Sequence, residues 1–201
     1  MNRLGYDIVK TGIPYIPKTK REGSVLVGKY QIRMPGNNLQ LGNYKIYPDL
    51  NRQLGRLAAV IFQKYPGMAI IDVGANVGDT IAILKSVVDV PVIGIEGDDV
   101  SYSYLEKNVA QFSNVNLVKT FLSEKTQDIK ANMDKTGWNN TIIPDLGGTE
   151  NISFKSLDDV ITAGGFGNLD IKLLKVDVEG FDTIVLRGAT EIIKKLTGAV
   201  L

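Results

Sequence analysis

Residues 68–84, MAIIDVGANVGDTIAIL, pass from an unbroken apolar run through a glycine-punctuated loop into an amphipathic segment. An apolar run as short as Ala69 to Val73 suits a strand buried on both faces, and Gly74 and Gly78 bracket a turn that reverses the chain at once. A helix is expected to begin at Asp79. Such a loop is expected to present backbone N–H groups at a helix N-terminus, where the partial positive charge suits an anionic or electron-rich ligand. It is therefore the candidate site for a nucleotide-type cofactor.

The flanking pattern extends this unit in both directions. Upstream, Pro14, Pro17, Gly12 and Gly23 read as loop, while Ser24 to Val27, Lys29 to Met34 and Tyr44 to Tyr47 read as short strands. From Pro48-Asp49 onward, Leu50, Leu54, Leu57 and Ile61 recur at helical spacing until Tyr65-Pro66-Gly67. Residues 1–67 are thus expected to form a small β-plus-helix cap, and residues 68–201 the main domain. Downstream, Ile81, Leu84 and Val88 stripe a helix, Val92 to Ile95 form a strand ending in Glu96, and Asp98 or Asp99 caps a helix bearing Tyr102, Leu105, Val109 and Phe112. Tyr102 and Tyr104 read as packing on that helix. Val115 to Phe121 is the next strand. Alternation of strand and helix predicts an α/β fold with a doubly wound, mostly parallel sheet.

Residues 123–151 interrupt the rhythm and read as a loop or hairpin insertion, Trp138 among them. Ser156 is expected to cap a short helix, Asp170 to Val178 to form a strand, and the region after Glu179-Gly180 to be helical and interrupted at Gly188. Ala199-Val200-Leu201 reads as the start of a further strand, as in a domain whose C-terminal strands are missing.

Composition narrows the chemistry. The net charge of the 201-residue chain is +1, with basic residues scattered rather than blocked, so nucleic acid and membrane surfaces are not expected as partners. No apolar run approaches the roughly 20 residues needed to span a bilayer, and a cytoplasmic protein is the expectation, with self-association left open. The chain has no cysteine and no histidine, so acid–base work falls to Asp, Glu, Lys or Tyr.

Acidic residues stand at three expected strand ends: Asp72, Glu96 and the Asp177/Glu179 pair. The loop D-V-G-A-N-V-G has neither the Gly-Lys-Ser/Thr of a phosphate loop nor the spacing of G-x-G-x-x-G. Glu96 is placed to accept hydrogen bonds from two ribose hydroxyls. An adenosine-bearing cofactor without a pyrophosphate fits both observations, and a nicotinamide-dependent oxidoreductase is the lesser reading. A cofactor-binding or partner subunit without turnover is the alternative of another class.

Taken in order, IIDVGANVGD, IGIEGDD, SFKSLDDVI and IKLLKVDVEGFDTIVLRGATEII resemble the FkbM-type family of class I S-adenosylmethionine-dependent methyltransferases, over about residues 68–201. The resemblance implies a Rossmann-like fold, S-adenosylmethionine as cofactor, and O-methylation of a hydroxyl on a sugar or natural-product-like small molecule. It implies that Asp72, Gly74, Ala75, Asn76, Gly78 and Asp79 form the cofactor loop and that Glu96 holds the ribose. Leu122 and Ser123 are expected to flank the adenine. Family members often have Glu-Pro where this chain has Glu96-Gly97. The K-x-D-x-E-G signature stands here as Lys175, Asp177, Glu179 and Gly180, with Asp177 the first choice for base or acceptor orienter, and Glu179 and Lys175 weaker candidates. No metal is assigned; magnesium on Asp177 and Glu179 is a minor alternative.

Overall fold

The computed structural model describes residues 22–134, 141–143, 148–178 and 180–201. Its centre is a five-stranded, wholly parallel sheet made of β3 (Met68–Val73), β4 (Val92–Glu96), β5 (Val115–Lys119), β10 (Asp170–Val176) and β11 (Ala199–Val200) in the spatial order β11-β10-β3-β4-β5. The chain moves outward from β3 to β5 and then returns to the other side of β3. That reversal places the crevice of an open α/β sheet at the carboxyl ends of β3 and β10.

All six residues of β3 are buried, and their alternation feeds two cores. Ala69, Ile71 and Val73 face a cluster containing Leu157, Val160 and Ile161 of α5 (Leu157–Ala163), Val185 of α6 (Asp182–Arg187) and Ile192 of α7 (Thr190–Lys195). Met68 and Ile70 face the opposite cluster, with Ala58 and Ile61 of α2 (Arg52–Lys64), Ile81 and Leu84 of α3 (Asp79–Lys85), and Leu105 and Val109 of α4 (Asp99–Val109). Helices therefore cover both faces, as a buried parallel sheet requires. Asp98 and Ser156 cap α4 and α5, accepting from the N–H groups of Ser101 and Asp159.

The N-terminal segment begins with an antiparallel hairpin, β1 (Gly23–Val27) and β2 (Tyr30–Met34), that buries Val25, Val27, Ile32 and Met34 on one side. The expected strand at Tyr44 to Tyr47 is instead the last part of a helix, α1 (Leu39–Ile46), and the turn after it. Asn38 caps this helix by accepting from the Gln40 N–H, and Leu41 and Tyr44, three positions apart, bury the same face. The local alternation of Tyr44-Lys45-Ile46-Tyr47 mimics a strand, but the cap and the helical spacing decide. Leu50 precedes α2 rather than belonging to it, and burial on α2 is deepest at Ala58 and Ile61.

Two other boundaries differ from expectation. The strand expected over Val115 to Phe121 divides: the Thr120 N–H completes the main ladder on the Glu96 carbonyl at 3.1 Å, and β6 (Phe121–Leu122) then joins a second sheet. This sheet has the order β6-β9-β7-β8 and includes β7 (Gln127–Asp134), β8 (Thr141–Ile143) and β9 (Glu150–Lys155). β7 and β9 pair antiparallel, so the insertion is built on β-pairing, while Trp138 lies outside the described residues. β10 ends at Val176 rather than Val178; the Asp177 N–H makes a last bond to the Val73 carbonyl at 3.2 Å. The expected terminal strand is present as β11, parallel to β10. Among the described residues, no helix is long and apolar enough to cross a membrane.

One side chain ties the hairpin to the centre. Asn108 of α4 accepts from the Arg33 N–H at 2.9 Å and donates to the carbonyls of Arg33 and Val77, each at 2.8 Å. Truncation would leave three buried or half-buried backbone groups without this partner. Asn108→Ala is expected to lower stability by about 2 to 4 kcal/mol, measured by urea unfolding; a change below about 0.5 kcal/mol would show that the hairpin is held without it.

Candidate cofactor and active site

The loop after β3 turns on three left-handed residues: Gly74 at φ 72°, Asn76 at φ 48° and Gly78 at φ 88°. Asparagine is among the few non-glycine residues that tolerate this region. Four of the amides in this loop are engaged within the protein. The amides of Gly74 and Ala75 both donate to the Ile95 carbonyl at 3.0 Å, that of Gly78 to the Ala75 carbonyl at 2.8 Å, and that of Asn76 to Glu96 Oε2 at 2.9 Å. Through the first two of these bonds and the Asn76 contact with Glu96, the loop extends the β3–β4 pairing.

The glycines answer to neighbouring protein as well. A Cβ on Gly74 would lie 2.0 Å from the Asp177 carbonyl oxygen, and one on Gly78 would lie 3.0 Å from Leu105. Glycine at 74 lets the ends of β3 and β10 close together; at 78 it seats the loop on α4.

Glu96 is held at both oxygens. Oε2 receives the Asn76 N–H and Oε1 receives the Asp98 N–H at 2.8 Å, fixing the carboxylate at the end of β4. Burial pushes its pKa above the usual carboxylate range, with the two backbone donors opposing. Each oxygen keeps acceptor capacity for a further donor. Beside it, a Cβ on residue 97 would fall 2.2 Å from the Phe121 ring. The departure from Glu-Pro at Gly97 is thus the space that Phe121 occupies.

On the other side of the loop, Lys175 stands opposite Asp72 in the β10–β3 register. Its Nζ is 3.0 Å from Asp72 Oδ1 and 3.8 Å from Asp177 Oδ2, and donates to the Gly74 carbonyl at 3.2 Å. Asp72 is completely buried, and neither carboxylate oxygen has a hydrogen-bond donor among the described residues; the Lys175 contact is an ion pair without hydrogen-bond alignment. Burial lifts the Asp72 pKa to about 6 despite Lys175. For Lys175, burial acts downward, but Asp72 and Asp177 outweigh it and hold the ammonium above its ordinary value. Lys175 is a fixed cation near neutrality, which removes it as a proton acceptor and leaves it as an anchor.

These groups surround a cleft of about 320 Å³, a size suited to a small-molecule ligand. Of the residues expected at the site, Gly74, Asn76, Asp79, Glu96, Leu122, Lys175 and Asp177 line it. Asp72, Ala75 and Gly78 lie behind this lining. Ser123 is turned into the β6–β9 pairing, where its N–H donates to the Lys155 carbonyl at 2.9 Å. Glu179 lies outside the described residues. Sequence reasoning did not reach Gln40, Asn51, Phe121, Phe154 and Phe181, which also line the cleft. The first two come from the segment read as a separate cap, and Phe121 was absorbed into a longer strand. Among the described residues, no group of three or more acidic side chains is placed to hold a metal ion.

The sequence of residues 72–200 matches the methyltransferase FkbM domain, well over half of the chain. The chain belongs to the FkbM methyltransferase family. Membership implies a cofactor of the S-adenosylmethionine type. A Staphylococcus aureus protein described as a caffeoyl-CoA O-methyltransferase is similar in structure, with 18% identity and a TM-score of 0.33, over 40% of this chain and 41% of that one. The chain therefore spans less than half of that relative. No curated protein matches.

Two outcomes test this FkbM site. Because Asp72 is protonated more readily folded than unfolded, its contribution to stability is full below about pH 4 and is lost as pH rises through about 6. The stability of Asp72→Asn relative to wild type should therefore rise between pH 4 and 7 in urea titrations, and a flat difference would contradict the assignment. Gly74→Val should lose stability as well as cofactor binding, because it strikes the Asp177 backbone; thermal melts without ligand will show a lowered midpoint.

Proposed function

We propose that this chain is an S-adenosylmethionine-dependent methyltransferase that methylates a hydroxyl on a small molecule, a sugar or a natural-product-like scaffold. The observation that carries the reading is the placement of Glu96 at the end of β4 and of Lys175 and Asp177 at the end of β10, on either side of Gly74 in one cleft. Residues present fit the cofactor: a fixed carboxylate with spare acceptor capacity for ribose hydroxyls, an apolar edge at Phe121 and Leu122 for the base, and a close-packed glycine turn between them. The even charge distribution favours a small acceptor over a nucleic acid or a membrane.

When bound, S-adenosylmethionine supplies an electrophilic methyl carbon, and the electron pair of the broken C–S bond stays on sulfur. The protein's work is then alignment and proton removal. Glu96 fixes the ribose. Asp177, whose side chain is 74% exposed at the cleft, accepts the proton of the acceptor hydroxyl. Lys175 holds Asp177 from below and cannot itself act as base.

Calorimetric titration with S-adenosylmethionine, S-adenosylhomocysteine and NAD tests the cofactor. Binding of the first two is expected, and binding of NAD alone would refute the reading. Asp177→Ala should keep cofactor affinity while turnover falls about 10²-fold or more; a matching loss of affinity would show that Asp177 serves binding instead.

A further inference from the structure

Tyr44 of α1 donates its hydroxyl to Asp79 Oδ2 at 2.8 Å. Tyr44 is 1% exposed and Asp79 7% exposed, yet Asp79 lines the cleft. Burial and the Asp79 charge push the Tyr44 pKa upward, so this hydroxyl stays a donor over the whole working range of pH. Burial also raises the Asp79 carboxyl, while the Tyr44 bond and the Lys175 charge favour its ionised form. The N-terminal segment supplies two further lining residues, Gln40 and Asn51. Four of the loop amides are engaged within the protein, while Asp79 brings a carboxylate to this part of the cleft, and a carboxylate selects a cation or a donor.

We propose that the N-terminal segment is part of the cofactor site, with Tyr44 a positioning residue that holds the Asp79 carboxylate where it receives the ammonium of the cofactor's amino-acid arm. The assignment rests on the S-adenosylmethionine reading above. It follows from the hydrogen bond, from the burial of both partners, and from the opening of Asp79 to the cleft. Replacing the hydroxyl leaves the aromatic ring packed but frees the carboxylate to turn. The loss should fall on ligands that carry the amino-acid arm and spare those that lack it.

The experiment measures dissociation constants of S-adenosylhomocysteine and of 5′-methylthioadenosine, which lacks the amino-acid arm, on wild type, Tyr44→Phe, Asp79→Asn and the double variant. Tyr44→Phe is expected to weaken S-adenosylhomocysteine about tenfold and leave methylthioadenosine within about twofold. The double variant should bind S-adenosylhomocysteine no more weakly than Asp79→Asn alone. Equal weakening of both ligands, as a merely structural tie would give, or additive losses in the double variant, would overturn the proposal. If Tyr44→Phe does not fold, Asp79→Asn reads the same selectivity, and unchanged binding of S-adenosylhomocysteine by it overturns the proposal. Wild type that binds neither ligand overturns the cofactor reading itself, a result distinct from wild type that binds both with no selective loss in the variants.

Discussion

The contact between Asp72 and Lys175 sets the floor of this molecule's cleft. The two residues stand opposite each other on adjacent parallel strands, at the place where the strand order reverses. A carboxylate with no exposure and no hydrogen-bond donor among the described residues is tolerable only beside a cation. Lys175 meets that need and also reaches the Gly74 carbonyl and Asp177. One ammonium thus ties β3, its loop and the end of β10 together. The close approach of Gly74 to the Asp177 backbone depends on the same junction.

Much of the α/β plan was legible because it rests on burial alone. A strand with both faces covered must be continuously apolar, as Met68–Val73 is, and an acid after such a run stands out, as Glu96 does. The strand expected at Tyr44 failed because four residues of alternation weighed less than a cap at Asn38 and a buried pair at Leu41 and Tyr44. The second sheet was hidden because nothing in Val115 to Leu122 announces that pairing changes partner after Thr120. Site residues drawn from the N-terminal segment were invisible for a related reason. Gln40 and Asn51 reach the cleft through tertiary packing, which local periodicity does not encode.

The loop after β3 shows how a glycine pattern can announce a turn without announcing what the turn is packed against. Its glycines suggested backbone amides available to a ligand. In the fold the amides of Gly74, Ala75 and Asn76 stitch the loop to β4 and to Glu96, and the glycines relieve crowding against Asp177 and α4. The carboxylates that line the same cleft, Glu96 and Asp79, have their orientations fixed by hydrogen bonds.

The packing of Phe121 over Gly97 also constrains how the chain can change over generations. The space at position 97 and the ring at position 121 are a single volume divided between two residues far apart in sequence. A side chain at 97, proline included, requires the ring at 121 to shift or to be replaced by something smaller. A change at either position therefore alters the room left to the other.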